Sequence, residues 1–296
     1  MNVQSLNTWL FVAGADEAAH AAAAKSGAHV LVQELEDFTP PALRPRARAL
    51  APALYARWRA DGNIAAVRVN PLEGDGLADL AAVMAGRPQF VMMSKVATPG
   101  QVALLDVEVT QLEHALGIAP GTTKLVPNVE TAAGLVRTFD IARASPRVVA
   151  LLVASEDMVA DLGTVRSRTG EELAYVRARF LVECRAAGVE AIDCPYTFSD
   201  SPGAERDART AKRLGYRAKS LVLASHAKAV NRVFVPGAVE IARARRIVAA
   251  FEKARAAGRD RAKVGGAWIE VPIYAAATRL LASAASTPAP PRRTRR

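Results

Sequence analysis

Short apolar runs alternate with longer amphipathic ones eight times along this chain, and few folds can absorb that rhythm. The apolar runs, at 8–13, 29–36, 64–70, 90–96, 124–130, 148–155, 190–196 and 218–224, are rich in Val, Ile and Leu without strict alternation. Strands covered on both faces read this way, as in parallel sheets. The segments between them, at 15–26, 43–60, 77–85, 101–116, 132–144, 171–187 and 204–214, read as helices rich in Ala, Leu and Arg. Gly27, Gly62, Gly86, Gly117, Gly188 and Gly215 follow their ends, where a left-handed cap is favoured. Eight strand–helix units predict an α/β fold, a (β/α)8 TIM barrel. An open doubly wound sheet would also alternate, but the GxGxxG fingerprint expected after its first strand is missing. The barrel is expected over residues 1–236. Beyond it, 238–257 reads as a long helix, followed by 264–272 and a last helix at 273–283. This C-terminal helical extension, 237–284, exceeds what a barrel needs, so it packs on its own barrel or reaches a neighbouring subunit. Residues 285–296 read as a disordered basic tail.

The formal net charge of +10 raises the question of nucleic acid. Four arginines of the tail TPAPPRRTRR carry part of it, leaving roughly +6 elsewhere, much of it on helical faces such as 241–259. Aromatic residues are 5 %, too few for base-stacking platforms. A small anionic substrate fits the charge better, and no nucleic-acid partner is expected. Charged residues interrupt every apolar run before it reaches membrane-spanning length, so no membrane partner is expected either. The start MNVQSLNTWLFVAG lacks a secretory signal's basic opening and cleavage site. Cys184 and Cys194 are the only cysteines, with no CxxC. A cytoplasmic location is the expectation.

Polar groups concentrate where strands end. Glu36 and Asp37 follow the second run, Arg68 and Asn70 lie in the third, Lys95 in the fourth, Glu130 ends the fifth, and Asp157 follows the sixth. In a barrel of this kind those ends build the active site. Neighbouring parallel strands lie about 4.8 Å apart, so Glu130 and Asp157 can share one small divalent ion; acids that merely cap the following helices are the alternative. Arg68, inside the apolar run IAAVRVN, needs an anion. Glu36 or Asp37 on the neighbouring strand can supply it, and so can a substrate carboxylate gripped by the planar guanidinium. Lys95 offers a Schiff-base amine or a structural ion pair, and the pair fits its surroundings better.

Other chemistries find little support. His20 and His114 lie on helices, His29 opens a strand, and only His226 follows a strand's carboxyl end. Neither HxH nor HExxH occurs, nor GxSxG, nor a Walker motif.

The segments LFVAG (10–14), ELED (34–37), VRVN (67–70), SKV (94–96), VETAAGL (129–135), ASEDMVADLG (154–163), RAAGVEAID (185–193) and NRVFVP (231–236) stand in an order and spacing that resemble the HpcH/HpaI aldolase and citrate lyase β-subunit-like family, which includes malyl- and citramalyl-CoA lyases. The resemblance spans about residues 8–282. It implies a TIM barrel assembled as a homotrimer or homohexamer with C-terminal elements exchanged. It also implies Mg2+ held by Glu130 and Asp157, with Arg68 on the carboxylate of a small carboxylate or acyl-CoA substrate. The activity implied is carbon–carbon cleavage of a hydroxy acid or its CoA thioester through a metal-stabilised enolate. An acid of the C-terminal segment, here Glu270, is implied as the base.

Departures from the family pattern bear on CoA. The segment GK-x-x-IHP-x-Q appears as AKSLVLASH (218–226), keeping Lys219 but placing Leu223 and Ala224 where the His-Pro pair stands. Glu270 replaces the usual Asp, Asn7 and Thr8 stand in the region of an arginine, Ala13 replaces a proline, and Glu34 replaces the first acid of DLED. A thioester hydrolase or condensing enzyme on the same site, or a ligand-binding or regulatory homologue without turnover, are the alternatives these changes leave open.

Overall fold

The computed structural model describes residues 2–286 and contains a closed barrel of eight parallel strands in sequential order. These are β1 (Thr8–Ala13), β2 (Val30–Glu34), β3 (Ile64–Val69), β4 (Phe90–Met93), β5 (Lys124–Val129), β6 (Ala150–Val153), β7 (Glu190–Asp193) and β8 (Ala218–Leu221). Register runs around the wall without a break: Glu34 pairs with Arg68, Arg68 with Met92, Val129 with Val153, and Leu10 of β1 with Leu221 of β8. Helices fill the connections, so the barrel expected from the alternation is the one present.

The two-sided burial of the strands has a simple cause. Trp9, Phe11, Val30, Val32, Phe90, Met92, Val126, Leu152 and Ile192 face inward and fill the barrel, with Ala66, Ala150 and Ala218 leaving room for the bulky rings. Trp9 and Phe90 meet with ring centroids 4.8 Å apart. Their chain neighbours Leu31, Val67, Val91, Leu125, Leu151 and Ala191 face outward and pack under the helices. Most of the strands are therefore apolar on both faces over much of their length.

Several sequence expectations are corrected. All the barrel strands except β1 stop short of the ends assigned to them, because the last residues turn out of the ladder to form the rim. The helix expected over 132–144 is two pieces, Ala132–Leu135 and Thr138–Arg143. At the break the Thr138 hydroxyl donates to the Gly134 and Leu135 carbonyls, competing with helical bonding. A helix at Ala227–Phe234, not expected from the sequence pattern, completes the eighth unit. Gly86 is not the left-handed cap expected of it: Arg87 adopts that conformation, with φ 54°. Gly86 is required for space, since a Cβ there would lie 2.6 Å from Cδ2 of Tyr55.

The described chain forms two compact units, Met1–Phe234 and Val235 onward. The second contains a helix (Ala238–Ala256), an antiparallel hairpin of β9 (Ala262–Val264) and β10 (Ala267–Ile269), and a final helix (Val271–Ser286). Gly265 and Gly266, both at positive φ, make the two-residue turn that matches strand twist. Its core is Ala244, Ile247, Phe251, Ala254, Ala262, Ile269 and Ala277, with Phe251 stacked on Tyr274 at 4.7 Å. The final helix runs into the segment expected to be a disordered tail; the remainder of that tail lies outside the described residues.

Candidate active site at the barrel mouth

Inward-facing positions on β2, β3 and β5 end in charge instead of hydrocarbon. Arg68 is the hub. Its Nε donates to Oε1 of Glu34 at 2.9 Å, Nη2 lies 3.1 Å from Oε2 of Glu36, and Nη1 lies 3.5 Å from Oε1 of Glu130. The rings of Phe11 and Phe38 stand 5.2 and 5.8 Å from the guanidinium carbon. Burial opposes the charge, but the fields of Glu34, Glu130 and Glu36 outweigh it, so the guanidinium is held above its ordinary pKa.

Glu34 is the site residue that sequence reasoning missed. It is fully buried, and besides Arg68 it accepts the backbone N–H groups of Glu36 (2.7 Å) and Phe38 (2.6 Å). Those bonds tie the rim turn to the strand and aim the arginine. In sequence it was one of three acids in ELED. Only its register opposite Arg68, on the same inward face, singles it out.

Asp37 does not pair with Arg68, contrary to one of the two expectations for it. Its Oδ1 lies 3.7 Å from Nζ of Lys95, while Glu36 bridges Lys95 and Arg68. Lys95 has a left-handed backbone, φ 54°, and the hydrogen bond to Glu36 leads the effects that raise its pKa. That is an ion pair's lysine, not the neutral amine a Schiff base requires. Burial raises the Glu36 carboxyl, against the pull of Arg68 and Lys95.

Glu130 immediately follows β5, and the Thr131 side chain caps the helix that begins there. Glu130 is fully buried, and neither carboxylate oxygen has a hydrogen-bond partner among the described residues. Its pKa is raised to about 8, first by burial, then by the charges of Asp157 and Glu36, with Arg68 opposing. Asp157 stands half-buried in the first turn of the helix Glu156–Asp161 after β6, and its field reaches both Glu130 and Lys95.

These residues fit a hard divalent cation. Five carboxylates (Glu34, Glu36, Asp37, Glu130, Asp157) face two cations (Arg68, Lys95), a formal surplus of negative charge within one mouth. With no hydrogen bond to either oxygen and only the 3.5 Å approach of Arg68 Nη1, the Glu130 carboxyl is expensive to ionise in the interior until a cation meets it. Among the described residues no cluster of three or more His, Cys, Asp or Glu forms a closed cage. Mg2+ characteristically takes one or two carboxylates and fills its remaining positions with water and substrate oxygens.

Two further residues singled out by the family pattern are Glu270 and Lys219. Glu270 is exposed in the second unit, where its carbonyl accepts from Ile273 and Tyr274 at the head of the final helix. Lys219 points outward from β8 and is sealed behind the wall: its ammonium bonds to Asp193 (2.6 Å), Asp207 and the Cys194 carbonyl. Arg177 completes the group by bonding both aspartates at 2.7–2.9 Å. Burial disfavours the charge of Lys219, and the two aspartates outweigh it. This neutral quartet ties β7, β8 and two helices together and offers no donor to a ligand.

The family model for HpcH/HpaI aldolase/citrate lyase matches residues 7–224. Citrate lyase subunit beta of Escherichia coli K12 is 33% identical over 220 residues, 74% of this chain and 73% of that one. L-malyl-CoA/beta-methylmalyl-CoA lyase of Rhodobacter capsulatus is 30% identical over 274 residues, 84% of this chain and 85% of that one. The crystal structure of CitE from Mycobacterium tuberculosis in complex with magnesium, acetoacetate and coenzyme A superposes with a TM-score of 0.77 at 26% identity, covering 96% of this chain and all of that one. This chain belongs to the HpcH/HpaI aldolase/citrate lyase family, a family of carbon–carbon lyases.

Proposed function

We infer that the protein is a Mg2+-dependent carbon–carbon lyase that cleaves a short hydroxy acid or its CoA thioester to leave an enolate. The observation that carries this is Glu130: a buried carboxylate with two unpartnered oxygens, beside Arg68 and within the field of Asp157. Glu130 and Asp157 would hold the cation, and a magnesium-bearing relative supports its identity. Bound there, the ion supplies Lewis-acid polarisation of substrate oxygens.

The chain's own residues do the rest. Nη1 of Arg68, the guanidinium nitrogen farthest from its acid, is the group for a substrate carboxylate, while Glu34 and Glu36 hold the fork in place. A fixed cation in a site walled by Phe11 and Phe38 acts on the negative charge that develops as the carbon–carbon bond breaks. Lys95 works against the burial that raises the Glu36 carboxyl and shares that carboxyl with Arg68. Glu270 is the proposed base for the hydroxyl proton, delivered from a neighbouring subunit of a homotrimer or homohexamer; light scattering tests that assembly. A cytoplasmic setting is part of the same reading. Among the described residues no helix is long and apolar enough to cross a membrane.

The test is a coupled screen of malyl-, citramalyl- and citryl-CoA against free hydroxy acids, with and without Mg2+. Glu130→Ala and Asp157→Ala should each abolish metal-dependent turnover. Release of free CoA without carbon–carbon cleavage would indicate a thioesterase, and tight binding without turnover a regulatory homologue. Turnover that ignores chelator would overturn the metal reading.

A further inference from the structure

Asn128 stands two residues before Glu130 on β5 and so faces the same barrel interior. It is fully buried, and neither its amide nitrogen nor its amide oxygen has a partner among the described residues. Its surroundings on the inner wall are hydrocarbon: Met92, Val126 and Leu152. Ser94, which follows the last residue of β4 as Asn128 follows its partner Pro127, spends its hydroxyl on the Val69 carbonyl at 3.4 Å. The Asn128 backbone carbonyl is satisfied by Val96 N–H at 3.0 Å, so only the side chain is stranded.

A leucine would occupy the same volume with no polar group to desolvate, so an asparagine here is costly unless something polar meets it. Two residues further along the same face stands Glu130, whose two oxygens are also buried and without a hydrogen bond. Their backbones stand roughly 6.6 Å apart along the strand, the two side chains make no direct hydrogen bond, and one water with bonds of about 2.8 Å to each side can join them. Asparagine and glutamate are complementary for that purpose, since the amide N–H donates to the water and the water O–H donates to the carboxylate.

We propose that a water is buried inside the barrel between Asn128 and Glu130, and that Asn128 is thereby a positioning residue for the metal site. The water holds one carboxylate oxygen of Glu130 down in the interior and leaves the other presented at the mouth. This rests on the reading of Glu130 as a cation ligand. Groups standing behind first ligands characteristically tune metal affinity 10- to 100-fold, and Asn128 belongs to that class.

Two measurements on the full chain test it. A high-resolution crystal structure of the metal-free protein should show a water within hydrogen-bond distance of both the Asn128 amide and the Glu130 carboxylate. Titration calorimetry with Mg2+ should show affinity lowered about 10- to 100-fold in Asn128→Leu. Asn128→Ser, which keeps a polar group and leaves room for water, should recover part of the loss. The leucine variant should unfold no more easily than wild type, a result that a merely structural role would not give. Wild-type affinity in Asn128→Leu, or an interior with no water at that position, overturns the inference; should the variant fail to fold, the crystal structure alone decides. Failure of the wild type to bind Mg2+ while the water is present would sink the metal reading instead, so the two failures are distinct.

Discussion

Replacing Glu130 by Gln should make the metal-free protein more stable at alkaline pH while removing its affinity for Mg2+. The folded protein holds the Glu130 carboxyl at about 8 against an ordinary 4.5, chiefly because burial disfavours the charge. A raised carboxyl pKa means that the folded state keeps a proton the unfolded chain releases, so the penalty is absent below about pH 4.5. It grows as pH rises and is complete above about pH 8. A difference of that size corresponds to about 5 kcal/mol at fixed geometry, an upper bound that relaxation of the mouth reduces. Gln has the same shape and never ionises. In EDTA, urea denaturation of the two proteins should therefore coincide near pH 4 and diverge by a few kcal/mol at pH 8.5, with the variant on top. Taking the difference cancels other titrating groups, including His20 and His29, whose burial lowers their pKa values and whose effect has the opposite sign. Adding Mg2+ at 100 times its dissociation constant should return about 2.7 kcal/mol to wild type and nothing to the variant. Parallel stability curves in EDTA across this pH range would refute the account of Glu130 as a frustrated charge awaiting a cation.

Arg68→Met should cost about 3–5 kcal/mol in denaturation experiments, because it strands Glu34, Glu36 and Glu130 together; a change below about 1 kcal/mol would contradict the hub assigned to it. Lys219→Met should lose a similar about 3–5 kcal/mol by unbalancing its quartet, yet leave KM for any CoA thioester unchanged, since the ammonium is fully buried. Gly134→Ala should destabilise by roughly 1–3 kcal/mol, as its Cβ would lie 2.6 Å from the Val96 carbonyl oxygen, read as a drop in the urea midpoint.

The barrel was legible because a strand buried on both faces leaves an unmistakable apolar run, and the glycines that end most helices mark the intervals. Ala227–Phe234 escaped because eight residues behind a short 3-10 turn are easily read as loop, although its apolar residues share one buried face. The acids and Arg68 could be picked out individually, since each interrupts hydrocarbon at a strand end. Their partners could not. Which of Glu34, Glu36 and Asp37 meets the arginine depends on inward or outward parity and on inter-strand register, neither of which a linear pattern contains. Lys219 illustrates the converse: a residue shared with a family motif, suggestive of ligand contact, proves to be sealed in an ion-pair group because its parity turns it away from the lumen. Asn128 was passed over as one polar letter in an apolar strand, and only burial without a partner makes it conspicuous.

Arg68, borne by the third strand, touches acids at the ends of the second and fifth, so the group proposed to seize substrate also works as a hoop around three staves. Closure of the cylinder and competence of its opening are then one property instead of two. A lineage drifting toward a new substrate could reshape the outlying loops freely, but it could not discard the guanidinium without loosening the vessel itself. Preservation of that residue in a descendant would therefore testify to mechanical need as much as to retained chemistry.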